Sequence, residues 1–256
     1  MQRKPSSSPL SVIELNDLTV GYGSHAAIHH LTGDFARGSL TAIVGPNGSG
    51  KSTLLKAIAG LLAPMAGTCT AGRRTMAYLP QLSELDRGFP ARVRDLVALG
   101  LWQRRGLLGR HREADRDRIA VALAEVGLEG FDKRPLDTLS GGQLQQTMFA
   151  RVLVQDAQLI LLDEPFNAID EKTIRDLTAL IARWHAEGRT VLIVAHDLAL
   201  VRAHFPQALL LARRAVAWGP TERVLTDTNL ARARSFQEAW DEAAPWCAPQ
   251  GAWRAA

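Results

Sequence analysis

The sequence predicts an α/β fold with an antiparallel β subdomain at the N-terminus, a mainly parallel core sheet and an inserted helical subdomain. Three observations carry that prediction. A short apolar strand, SLTAIVG, runs straight into the glycine-rich GPNGSGKST and then into a helical pattern. A second apolar run, AQLILLDEP, ends in two carboxylates, and RTVLIVAHD is another strand after an intervening helix. Between these features, residues from Leu82 to Val154 show helical patterns alone.

Taken in order, VIELNDLTVGYG places Ile13, Leu15 and Leu18 among polar neighbours, and AAIHHLTGDF does likewise, as two antiparallel strands would. KSTLLKAIAGLLAP reads as a helix ended by Pro64. RRTMAYLPQ ends a further strand at a proline and a glutamine. Three helical patterns follow: ARVRDLVALGLW, RDRIAVALAEVGL and GGQLQQTMFARVLVQ. EKTIRDLTALIARWHAEG is a helix closed by Gly188, and QALLLARRAVAWG a closing pair of strands. Strands alternating with helices indicate a parallel sheet covered on both faces. The tail keeps helical potential to about Trp240, and APWCAPQGAWRAA then frays.

With 256 residues, 46% of them hydrophobic, the chain can bury a large core. No apolar run approaches the ~20 residues of a membrane-spanning helix, and no signal-peptide stretch follows MQRKPSSSPL. Cys69 and Cys247 lack metal-ligand spacing and predict no disulfide framework. The formal charge of +4 gathers partly in Trp102 to Arg118, where acidic residues are interspersed as on an exposed helix face. Charge alone therefore selects no partner.

Gly45 to Ser52 fits G-x-x-x-x-G-K-[ST] at every fixed position: Gly45, Gly50, Lys51 and Ser52. Successive main-chain N–H groups of such a loop point into one concavity at a helix N-terminus, where the dipole also favours an anion. Gly45, Pro46, Asn47, Gly48, Ser49, Gly50, Lys51, Ser52 and Thr53 are thus candidates to cradle a phosphate chain. Lys51 would reach the β- and γ-phosphates, and the Ser52 hydroxyl would ligate Mg²⁺. In LILLDEP, Asp163 at the end of a buried strand can hold the Mg²⁺ shell, and Glu164 beyond it can accept a proton from an attacking water.

A second glycine pair, in LSGGQ at Leu139 to Gln143, opens a helix shortly before these carboxylates. LSGGQ is the signature of the ATP-binding cassette (ABC) ATPases, which the chain resembles over nearly its whole length. Further landmarks fall in order. Tyr22 in TVGYG resembles the A-loop aromatic that stacks on adenine, and Gln81 in YLPQ the Q-loop glutamine that touches Mg²⁺ or water. Asp170 in NAID resembles the D-loop aspartate, and His196 in VAHD the switch histidine facing the γ-phosphate.

The resemblance implies a P-loop NTPase of the ABC-ATPase fold using ATP and Mg²⁺. It also implies a homodimer of head-to-tail nucleotide-binding domains, each ATP lying between the Walker A loop of one and the signature of the other. On that ground Ser140, Gly141, Gly142, Gln143 and Asp170 join the nucleotide-binding set with Tyr22 and the phosphate loop. The catalytic candidates are Glu164, His196, Gln81 and Lys51; the Mg²⁺ candidates are Ser52, Gln81 and Asp163. The expected organisation is a disordered arm at residues 1–10, a nucleotide-binding domain at 11–240 with its helical subdomain at about 82–154, and a flexible tail at 241–256.

A single cassette without a membrane span resembles subunits that dock on separate integral membrane permeases. FPARVRDLVALGLW, with Phe166 after DEP, is similar to the ATPases of bacterial zinc and manganese importers. Importers of iron chelates and haem are near relatives, and a soluble non-transport ABC ATPase is the remaining alternative. The expected setting is peripheral, on the cytoplasmic face of the inner membrane, with an extracytoplasmic substrate-binding protein as indirect partner and no nucleic acid. The transported metal is not expected to bind here: no Cys or carboxylate cluster joins His25, His29 and His30, which read as solvated. The sequence departs from its relatives at Gln146, where arginine is usual; Arg151 could supply that charge. FNAID likewise replaces the usual S-x-L-D wording.

Overall fold

The computed structural model describes residues 11–72, 75–85, 88–102, 113–167 and 169–238. The N-terminal arm, Cys247, Trp240, the tail from 241 and residues 103–112 of the basic stretch lie outside the described residues. The chain forms two compact units, interleaved in sequence: Met1–Ala36, Ile43–Gly72 and Pro206–Ala256 make the first, Arg37–Ala42 and Arg73–Phe205 the second.

In the first unit, β1 (Ser11–Tyr22) pairs antiparallel with β2 (His25–Ala36) on one side and with β4 (Ala66–Ala71) on the other. Ile13, Leu15 and Leu18 are buried, although Leu15 and Leu18 do not share the strand's alternation. A bulge reconciles them. The register slips between Leu15 and Leu18 as Asp17 turns left-handed at φ 50°, and His30 on β2 does the same at φ 52°. Asp17 Oδ1 and His30 Nδ1 meet across it at 2.8 Å.

Strand β3 (Leu40–Val44) contributes its last two residues to this unit, beside the antiparallel hairpin β8 (Gln207–Leu211) and β9 (Ala215–Pro220). Trp218 packs on Phe35 with ring centroids 4.6 Å apart. Helix α1 (Lys51–Ile58) is shorter than its apolar pattern suggests, ending six residues before Pro64. Gly60 adopts φ 72°, and the Gly60 and Leu61 N–H groups fold back onto the Ala57 and Lys56 carbonyls, which satisfies the helix end. Helices α7 (Thr221–Val224) and α8 (Asp227–Glu238) follow among the described residues of this unit.

In the second unit, β5 (Met76–Leu79), β6 (Leu159–Asp163) and β7 (Thr190–Val194) run parallel in that order, with the start of β3 beside β7. Every residue of β6 and β7 is buried, which is why both strands read as unbroken apolar runs. Among the described residues its α-helices include α2 (Val93–Ala98), α3 (Glu113–Glu125), α4 (Gly141–Gln155), α5 (Glu171–Ala186) and α6 (Leu198–His204). Leu177, Leu180, Ile181 and Trp184 form one buried stripe of α5, and Trp184 stacks on Phe149 of α4 at 5.9 Å. No described helix is long and apolar enough to cross a membrane.

One histidine departs from expectation. His25 is exposed, but His29 is only 3% accessible, so it is not solvated. No metal-ligand group forms among the described residues. Burial, reinforced by the nearby Arg214, pulls the His29 pKa below its ordinary 6.5. The unfolded chain therefore takes up this proton before the folded one, and stability falls as the pH drops below about 6.5 toward the folded value. Urea midpoints measured from pH 7.5 to 5.5 should decline in the parent and decline less in His29→Leu; equal slopes would mean that His29 titrates alike in both states.

Candidate functional site

The first unit builds a glycine-rich cradle at the N-terminus of α1. The chain leaves buried β3 at Gly45 and enters α1 at Lys51, and the turn between them is packed from behind. A Cβ on Gly45 would lie 1.9 Å from the Leu211 carbonyl oxygen, and one on Gly50 2.6 Å from Ile28. Both positions require glycine because neighbouring strands press against the loop. The Ser49 carbonyl accepts from Arg213 N–H at 3.1 Å, anchoring the loop to the β8–β9 turn.

Inside this cradle Lys51 is 5% accessible, and its Nζ donates to the Gly45 and Pro46 carbonyls at 2.9 and 2.8 Å. A phosphate chain would offer that ammonium charged acceptors in place of two neutral ones. Ser49 Oγ is buried without a hydrogen-bond partner, and the first turn of α1 carries no acidic residue. An orphaned hydroxyl, a buried cation and a helix N-terminus are together the chemistry of an anion site. Ser52 and Thr53 lie in the same first turn, with Pro46, Asn47 and Gly48 forming the loop. Tyr22, at the end of β1, is 54% accessible, a ring available for stacking.

The second unit gathers the other polar groups. Asp163 ends β6 fully buried, and Glu164 follows at φ 48°, a left-handed conformation unusual for a non-glycine residue. That turn aims the Glu164 carboxylate at two partners. Gln81 Nε2 donates to Oε2 at 2.7 Å, and His196 Nε2 lies 2.5 Å from Oε1. Three residues separated by up to 115 positions in sequence thus meet at one carboxylate. Beside it, Glu164, Phe166, Asn167, His196, Asp197 and Leu200 help to line a cavity of about 140 Å³, room for a few waters.

Ser140 caps α4: its Oγ accepts from Gln143 N–H at 3.2 Å, and its own N–H donates to Gln143 Oε1 at 3.0 Å. Gln143 therefore has a structural task, while the Ser140 hydroxyl keeps its proton to donate outward. Asp170 caps α5 through Thr173 N–H at 2.9 Å and Thr173 Oγ1 at 2.7 Å, bonds that hold its carboxyl below the ordinary carboxylate range. Its Oδ2 faces Gly142, where an added Cβ would lie 3.3 Å away. The structure thus brings Asp170 beside the glycine pair at Gly141 and Gly142.

Two contacts carry weak sequence signals. Asn167 Nδ2 reaches Glu164 Oε2 at 3.5 Å, and the Tyr78 hydroxyl donates to Asp163 Oδ2 at 3.4 Å. Tyr78 stands inside YLPQ and Asn167 inside FNAID, but nothing in those strings says which carboxylate each faces. Arg151, which could supply the charge absent at Gln146, donates from Nη2 to the Tyr78 carbonyl at 2.7 Å. Burial lowers its guanidinium pKa.

Comparisons with known proteins identify the family of the chain. The family model described as ABC transporter matches residues 28–167. The manganese transport system ATP-binding protein MntB of Listeria monocytogenes serovar 1/2a is 40% identical over 225 residues, 85% of this chain and 94% of that protein. The zinc transport system ATP-binding protein TroB of Treponema pallidum is 37% identical over 234 residues, 89% of this chain and 88% of that protein. A solved ABC transporter in an inward-facing conformation, described as of metal-chelate type, superposes with a TM-score of 0.79 at 28% identity, covering 88% of this chain and 89% of that one. With a family model that spans more than half of its residues and relatives at 37–40% identity over most of both chains, the chain belongs to the ABC transporter family.

Proposed function

We propose that this chain is the ATP-hydrolysing subunit of an importer for manganese or zinc. The observation that carries the catalytic half is the Glu164 carboxylate, aimed by a left-handed backbone turn and held by Gln81 and His196 directly after Asp163. A general base must be fixed in direction and backed by groups that tolerate its charge change. Glu164 has both.

In this reading the phosphate loop and Lys51 bind the β- and γ-phosphates, and Tyr22 stacks on the adenine. Ser52, Asp163 and Gln81 offer a hydroxyl, a carboxylate and an amide oxygen, the hard oxygen set that Mg²⁺ prefers. Bound there, Mg²⁺ would neutralise charge on the phosphates. Glu164 takes the proton of the attacking water, while His196 orients that water and the γ-phosphate. Ser140, Gly141 and Gly142 present a hydroxyl and a helix N-terminus to ATP held by a second copy, and Asp170 stands beside them. Turnover thus belongs to a head-to-tail homodimer.

The metal half rests on likeness to the manganese and zinc subunits at 37–40% identity over most of both chains. The likeness to a metal-chelate type transporter is lower, at 28%. The subunit would dock on integral membrane permeases at the cytoplasmic face of the inner membrane, and act only indirectly with an extracytoplasmic substrate-binding protein.

Replacing Glu164 by Gln keeps the side chain's shape, exchanges the carboxylate for a neutral amide and so removes the base. Turnover should fall by about 10²–10⁴-fold, ATP binding should persist, and a dimer should accumulate with ATP in size-exclusion chromatography. Full turnover in Glu164→Gln would remove Glu164 from the role of base. Uptake of radioactive manganese and zinc should be lost in a strain deleted for this subunit and restored by the parent chain, but not by Glu164→Gln; unchanged uptake of both would contradict the metal assignment.

A further inference from the structure

Behind Asp163 lies a contact path that the motif residues do not include. Tyr78 of β5 is paired in parallel register with Leu161 of β6. Side chains paired in this way share a sheet face, and so does the residue two positions on, which is Asp163. Ala77 and Leu79, the neighbours of Tyr78 in sequence, are buried on the opposite face. The phenol thus runs along the face that carries Asp163, and its hydroxyl donates to Oδ2 at 3.4 Å. That separation is long for an O–H···O bond, so the contact supplies direction more than energy.

The other end of Tyr78 is tied down. Its carbonyl accepts from Arg151 Nη2 at 2.7 Å, a short charge-assisted bond. Arg151 sits on α4, the helix that Ser140 opens, and its Nε has no hydrogen-bond partner. A guanidinium drawn out of water needs acceptors, so the Tyr78 carbonyl is a contact it cannot readily give up. Tyr78 stands three residues before Gln81.

We propose that Tyr78 is a positioning residue for Asp163, and that Arg151 fixes Tyr78 in turn, so that one tyrosine joins the signature helix to the acid that receives Mg²⁺. A donor on Oδ2 restrains rotation of the carboxylate, as groups behind a metal ligand commonly do. The inference rests on the reading of Asp163 as a Mg²⁺ ligand. It adds a residue whose loss weakens ion binding without touching the phosphate loop.

The test measures affinity of the full chain for the non-hydrolysable analogue AMP-PNP by calorimetry, once in EDTA and once in saturating Mg²⁺. The readout is the ratio of the two dissociation constants. Tyr78→Phe removes only the hydroxyl, and should shrink that ratio about tenfold while leaving the EDTA affinity and the urea midpoint at parental values. An unchanged ratio in Tyr78→Phe overturns the proposal, and so does an equal loss of affinity in EDTA, which would mark a general structural defect. Asp163→Asn separates the two layers. If it keeps the parental ratio, Asp163 is no Mg²⁺ ligand and the underlying reading fails; if it loses the ratio while Tyr78→Phe keeps it, only the positioning role fails. Arg151→Met should shrink the ratio in the same direction, and a folded Arg151→Met with the parental ratio overturns the role of Arg151. Should Arg151→Met fail to fold, Tyr78→Phe still decides the role of Tyr78.

Discussion

The paired hydrogen bonds on the Glu164 carboxylate are the constraint on which the candidate site of the second unit depends. Gln81 and His196 each take one oxygen, so the side chain has one direction. A left-handed non-glycine residue costs about 1–3 kcal/mol and persists only where its surroundings over-determine it. Here those surroundings are β6, buried at every residue and flanked by β5 and β7 in parallel register. The apolar run LILL is therefore the platform that lets two carboxylates stand at its end, one fully buried and one turned aside.

The same logic, strands supporting a turn that would not stand alone, shapes the first unit. Its phosphate loop is compressed by Leu211 behind Gly45 and by Ile28 beside Gly50, and Arg213 N–H grips the Ser49 carbonyl. Lys51 rests on the Gly45 and Pro46 carbonyls, two neutral acceptors for which a phosphate chain would substitute charged ones. Preorganised donors at a helix N-terminus add binding energy because they need little reorganisation when charge arrives. The glycines serve packing and chemistry at once.

Much of this was legible in the sequence because the signals were local. Buried parallel strands, a glycine loop between strand and helix, and two carboxylates after four aliphatic residues each read from a single window. Other features depend on distant partners. The bulge at Asp17 and His30 places left-handed backbone at two residues with no glycine to announce it, and His29 is buried where its N–H donates to the Arg213 carbonyl of the β8–β9 turn. Strand β4, AGTCTA, is small, polar and largely exposed, without the alternation that marks an edge strand. The end of α1 follows Gly60 rather than Pro64, since a left-handed glycine satisfies the last carbonyls before the proline is reached. Gln143 reads as part of a nucleotide cradle, yet its side chain is also half of a capping box, a role visible only once Ser140 is known to be the N-cap. Tyr78 and Asn167 gain meaning only from strand register and from the turn at Glu164.

If Glu164 acts as the base because His196 holds it, the two residues work as one unit, and removing either should disable the same step. The most direct measurement is a double-mutant cycle on ATP turnover with Glu164→Gln, His196→Ala and the pair together. Coupling predicts that the double variant is no slower than the slower single variant. Losses that multiply independently would show that the carboxylate and the imidazole act separately, and would contradict a base held in place by its histidine.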